Sequence, residues 1–144
     1  MKGYGSWFYS SLLLSLFVIS LTGLLLIPTL LDMRFEQDLL WRLSSPDRQI
    51  TVALHTLFSY LILIMIGALY PIHIRSGIKT KRNNRTGISL VSLFALLLLS
   101  GIGLFYLGSE NWILAASATH TIAGLSVTVM FTLHFLIRKR LKSV

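Results

Sequence analysis

The chain carries four histidines, His55, His73, His120 and His134, and all four fall inside long apolar stretches, 18 residues apart in one and 14 in another. Lipid offers an imidazole no solvent, so an ionisable residue at membrane depth marks a functional site by default. Two imidazoles facing each other across a gap can occupy both axial positions of haem iron. That arrangement suits electron transfer because no coordination position is left open to oxygen. At 1.5 Å per residue the two histidines of one helix stand about 27 Å apart and those of the other about 21 Å apart, so all four cannot meet at one metal ion. The spacing points to two haems. The chain has no cysteine, which excludes thiolate ligation and covalent c-type attachment within it. Any haem is then non-covalent.

The elements that position these residues follow from composition. Of 144 residues 54% are hydrophobic and 12% charged, with a net charge of +8 and a mean hydropathy of +0.75. A soluble domain carries about a quarter charged residues, so the chain reads as an all-α membrane protein. Its apolar material divides into four runs, roughly 7–30, 50–74, 87–108 and 112–137, each long enough to cross a hydrocarbon core of ~30 Å. Barrel-type alternation is absent. The first run follows Lys2, as a signal peptide would, but it is longer than the ~7–15 residues of such a segment and ends at Ile27-Pro28-Thr29 without a small-residue cleavage site. One transmembrane domain over 1–144 is expected, a four-helix up-down-up-down bundle.

Charge sets its orientation. Arg75, Lys79, Lys81, Arg82 and Arg85 fill the second connection, Arg138, Lys139, Arg140 and Lys142 follow the fourth run, and Lys2 precedes the first. Asp32, Arg34, Glu36, Asp38, Arg42, Asp47, Arg48 and Glu110 lie on the other side. The positive-inside rule places both termini in the cytoplasm, and basic segments of this kind serve topology and anionic membrane lipid, not nucleic acid. The connection 32–49 mixes charges with Phe35, Leu39, Leu40 and Trp41 and is expected to include a short interfacial helix.

In such a bundle the second and fourth helices run the same way, which pairs His55 with His120 near the outside and His73 with His134 near the cytoplasm. Eighteen residues make five turns of about 100° and fourteen make nearly four, so both histidines of a helix share a face. The two spacings differ by about 6 Å, and Pro71, which cannot donate to the carbonyl of Gly67, is expected to kink the second helix and absorb the difference. Gly87 and Gly101, 14 apart on the third helix, give room for flat macrocycles, with Gly23 and Gly124 as further openings. Arg48, Arg75 and Arg138 are the candidate partners of haem propionates. Thr51, one turn before His55, is the candidate to orient its ring.

The halves of the chain are alike. Ser15-Leu16-Phe17 recurs as Ser92-Leu93-Phe94, and Thr22-Gly23 as Ser100-Gly101 one residue out of step. His55-Thr56-Leu57 corresponds to His120-Thr121-Ile122, and Ile72-His73-Ile74 to Leu133-His134-Phe135. Each half reads as one helical hairpin with two histidines on its second helix.

With His55, His73, His120 and His134 on the second and fourth helices and Gly87 and Gly101 on the third, the chain resembles the four-helix, di-haem transmembrane b-type cytochromes. That superfamily includes small bacterial cytochromes b and the haem-bearing membrane subunits of formate dehydrogenases and hydrogenases. The resemblance covers essentially the whole chain; the 14-residue spacing fits it, and the 18-residue spacing departs from its tightest form. It implies electron transfer between membrane faces through two bis-histidine haems, exchange with quinone or quinol or with a partner redox subunit, and a bacterial inner-membrane location. Trp41, Arg42, Arg48 and the turn 110–112 are candidate quinone contacts. The competing expectations are a single haem held by His55 and His120 alone and, in a different class, a non-redox assembly subunit or a proton-relaying transporter.

Overall fold

A computed structural model of the chain describes residues 4–37, 41–80 and 84–140, with backbone alone at 79–80, 84 and 137–140. Regular structure among them is entirely helical: α1 (Ser6–Phe35), α2 (Ser45–Leu69), a π-helical segment (Tyr70–Ile74), α3 (Arg75–Thr80), α4 (Asn84–Tyr106) and α5 (Glu110–Arg140). Four helical stretches are long and apolar enough to span a membrane: Ser6–Phe35, Ser45–Ile78, Arg85–Tyr106 and Glu110–Leu136. Phe17, Ile64, Leu99 and Phe105 are each at least 65% exposed, as side chains that meet lipid tails would be.

The chain divides into two compact units, Met1–His73 and Ile74–Val144. In the first, α1 packs on α2; in the second, α4 packs on α5. Contacts fix both as antiparallel hairpins. Tyr4 meets Ala68, Thr22 meets His55 and Met33 meets Arg48 in the first. Thr86 meets His134 and Ser100 meets His120 in the second. The first hairpin buries Phe8, Leu12 and Leu16 against Ile62, Met65 and Leu69, and the second buries Leu90, Ala116, Ala123 and Val127. Ser15, Thr22 and Thr29, seven residues apart on α1, are also buried; small side chains at this repeat let two membrane helices approach closely.

Local chemistry explains the boundaries. α1 continues through the buried Pro28, a proline that membrane helices tolerate, and stops at Glu36. There the backbone turns left-handed (φ 52°) and the Glu36 N–H caps the Leu31 carbonyl, with Gln37 N–H reaching the same carbonyl at 3.2 Å. α2 starts at Ser44, whose side chain accepts from the Asp47 N–H at 3.4 Å. Pro46 sits in the first turn, where its missing N–H costs nothing. The expected 32–49 connection is therefore only 36–44, and residues 41–44 are not helical; of the residues expected in an interfacial helix, Leu39 and Leu40 lie outside the described set. Part of the second connection is likewise helical, as α3.

At Pro71 the helix does not simply kink. The Gly67 carbonyl, denied a proton by Pro71, takes the Tyr70 N–H instead, and the following turn widens to π geometry over Tyr70–Ile74. The phenol of Tyr4 donates to the Ala68 carbonyl at 2.7 Å, just before this turn. A π turn takes up extra residue, so the count that brought His55 and His73 to one face holds only for an unbroken α-helix. α5 is unbroken over Glu110–Arg140, and the count for His120 and His134 stands.

Candidate functional site

The Thr22 hydroxyl of α1 donates to the Val18 carbonyl at 2.7 Å and lies 2.9 Å from Nδ1 of His55 on α2. A hydroxyl has a single proton. With that proton on the helix backbone, the oxygen accepts, and the His55 Nδ1–H donates to it. A neutral imidazole protonated on Nδ1 carries its lone pair on Nε2, so the hydroxyl selects both tautomer and ring orientation.

The second hairpin repeats the construction. Ser100 on α4 donates to the Leu96 carbonyl at 2.7 Å and stands 3.1 Å from Nδ1 of His120. A third hydroxyl, that of Thr86, lies 3.0 Å from Nδ1 of His134. Thr86 and Ser100 are 14 apart on α4, as His120 and His134 are on α5, so an antiparallel register brings both pairs level.

Each of these hydroxyls is followed by glycine: Thr22-Gly23, Thr86-Gly87, Ser100-Gly101. A Cβ on Gly23 would come within 3.3 Å of His55 Cε1, and one on Gly101 within 3.5 Å of His120 Cε1. The glycines leave the imidazole edges uncovered by the neighbouring helix. At Gly87 a Cβ would meet nothing within 4 Å, whereas at Gly124 it would lie in ordinary contact with Leu97 at 3.9 Å.

His73 is built differently. Fourteen residues after His55 comes Leu69, and fourteen before Thr22 comes Phe8; both are buried core. The place that holds Thr86 and His134 in one hairpin is filled with hydrocarbon in the other. His73 stands four residues further on, half-buried within the π segment.

Of the basic candidates, Arg48 is half-buried in the first turns of α2 and its Nη1 reaches the Met33 thioether at 3.1 Å, a weak acceptor for so strong a donor. Arg75 is exposed at the start of α3. Arg138 lies in α5, and its side chain is outside the described residues. Thr51 does not orient His55: its hydroxyl returns to the Asp47 carbonyl at 2.8 Å, as threonines in helices often do. Trp41 and Trp112 are exposed, and Arg42 is paired with Asp32.

No protein family, curated protein or solved structure matches the chain. The chemistry available is therefore read from the imidazoles themselves. Three rings are tethered through Nδ1, and for His55 and His120 the tether fixes the tautomer that leaves the lone pair on Nε2.

Proposed function

We propose that the chain is a membrane electron-transfer protein of the di-haem b type. His55 and His120 would hold one haem, and His73 and His134 the other. The observation that carries this reading is the Nδ1–H tautomer set at His55 and at His120 by a hydroxyl whose own proton is already committed. Haem b fits these residues: the chain offers no thiolate, the tethered rings present Nε2, and Gly23 leaves the His55 ring edge open where a Cβ would crowd it. Bound haem supplies one-electron ferric/ferrous chemistry. The chain's residues hold and orient the imidazoles, and Arg48, Arg75 and Arg138 supply positive charge for propionates.

The reading extends to an up-down-up-down bundle with both termini cytoplasmic, in a bacterial inner membrane, with electrons exchanged with quinone or quinol or with a partner redox subunit. The distribution of basic residues and the resemblance support those parts. A proton-relaying role is disfavoured by the same tethers. A relay histidine must take and release protons at both nitrogens, and a ring whose Nδ1–H is held by a spent hydroxyl gives that freedom up.

The test is the reduced-minus-oxidised absorption spectrum, with haem counted per chain, after expression with ample haem. Two haems b per chain are expected, and quinol should reduce them. Absence of haem overturns the proposal. His55→Ala and His120→Ala should remove the same haem; loss of one haem by both His55→Ala and His73→Ala contradicts the pairing.

A further inference from the structure

We infer that Met33 is a site of reversible oxidation by hydroperoxides, and that the Arg48 guanidinium receives the sulfoxide oxygen, so that oxidation fastens this end of the first hairpin. Methionine oxidation ordinarily loosens the contacts it strikes. The inference stands apart from the di-haem reading and uses the first hairpin's own residues.

Three observations carry it. First, the sulfur can be reached. Met33, in the last turn of α1, is 58% exposed, whereas Met65 is 5% exposed in the core and Met130 is half-buried. Met33 stands between Asp32 and Arg34, at the charged end of its apolar span, and the chain has no cysteine to intercept an oxidant. Secondly, Arg48 in the first turn of α2 donates through Nη1 to the Met33 sulfur at 3.1 Å. A thioether is a weak acceptor, and a half-buried guanidinium is matched by a strong oxygen acceptor. Thirdly, the carboxylates close by in the chain are engaged with other groups. Asp32 pairs with Arg42, and Asp47 accepts from the Ser44 hydroxyl.

Oxidation supplies the stronger acceptor on the atom that Arg48 already faces. A sulfur lone pair attacks one peroxide oxygen, and the S–O bond forms as the O–O bond breaks. The proton of the transferred oxygen passes to the departing hydroxide, which leaves as water; sulfur loses two electrons and the peroxide gains them. Two thiols of a reductase reverse the step, becoming a disulfide and releasing the oxygen as water. In the oxidised form a charge-assisted hydrogen bond joins the end of α1 to the start of α2. The cap beside it, where the Glu36 and Gln37 N–H groups share the Leu31 carbonyl, then opens less often.

The experiment uses the full chain in detergent with hydrogen peroxide as the probe. Oxygen gain is read by peptide mass, and opening by amide hydrogen exchange. Met33 is expected to gain oxygen about tenfold faster than Met65, and exchange at Glu36 and Gln37 should slow severalfold on oxidation. Met33→Gln, which puts an amide oxygen where the sulfoxide oxygen would be, should show the same slowing without peroxide; Met33→Leu should show none with it. In Arg48→Leu, Met33 should still be oxidised, with exchange unchanged. Oxidation of Met33 no faster than that of Met65 overturns the inference, and so does faster exchange in the oxidised wild type. Slowing that persists in Arg48→Leu overturns it as well. Haem counted in the same preparation tests the di-haem reading separately.

Discussion

The hydroxyl of Thr22 stands 2.9 Å from His55 Nδ1 with its own proton on the Val18 carbonyl, so the imidazole is the donor in that bond. One helix of the hairpin thus decides which nitrogen of the other helix's histidine is basic. Ser100 does the same for His120.

Thr22→Val keeps the shape of the side chain and removes the acceptor. An N–H left without a partner in a buried setting costs about 1–3 kcal/mol, and losing the group that orients a metal-binding histidine weakens binding about 10–100-fold. Titration of the apoprotein with haem should show that loss at one of two centres. Thr22→Ser, which restores the oxygen, should recover it. Equal affinity in wild type and Thr22→Val would count against the tether.

The glycines should rank by distance. Alanine at position 23 puts a Cβ 3.3 Å from the His55 ring, tighter than ordinary packing; at 101 the contact is 3.5 Å, and at 87 there is none within 4 Å. Haem occupancy is expected to fall for Gly23→Ala and to change little for Gly101→Ala and Gly87→Ala. Gly87→Leu should leave the hairpin's helicity by circular dichroism unchanged while emptying the haem held by His134. Retained haem in Gly87→Leu would show that the open space there has no occupant.

Much of this was legible from residue types. The four spans, the placement of the histidines and the likeness of the two halves follow from hydropathy and repeats, and even the Thr22-Gly23 and Ser100-Gly101 pairs stand out. What those hydroxyls do was not legible, because it depends on which residues two antiparallel helices bring level. Thr51, the near neighbour in sequence, loses to Thr22, 33 residues away, because its own helix offers it a carbonyl. The recurring hydroxyl-glycine pair at 22, 86 and 100 was the available signal. Pro71 announces a break, but proline chemistry alone does not choose between a kink and a π turn.

The register argument can be built into the protein. Phe8→Thr with Leu69→His, in a His73→Ala background, recreates in the first hairpin the 14-residue arrangement of the second. A haem lost from His73→Ala alone should be restored, so that two are again counted per chain. A count that stays at one would mean that the two hairpins are not equivalent in register at that depth.

Arg48 should act through charge. It lies seven residues before His55, about 10 Å along the helix, where a unit charge at an effective dielectric of ~20 is worth roughly 1.7 kcal/mol. Arg48→Gln is therefore expected to lower the midpoint potential of one haem by about 70 mV in a spectroelectrochemical titration. Arg42, 65% exposed and paired with Asp32, is the control, and Arg42→Gln should move neither potential by more than about 20 mV, since exposed pairs contribute little.

The division of the chain between His73 and Ile74 bears on how such a protein is made. The first hairpin fastens His55, and the second His120 and His134, with hydroxyls of its own, so a hairpin leaving the translocon already has these rings set before the other half is synthesised. On the di-haem proposal, cofactor capture then becomes the final step of biogenesis, with the ordering of three rings completed during insertion. That proposal predicts that cells short of haem accumulate inserted apoprotein that can be rescued by later supply, without renewed synthesis.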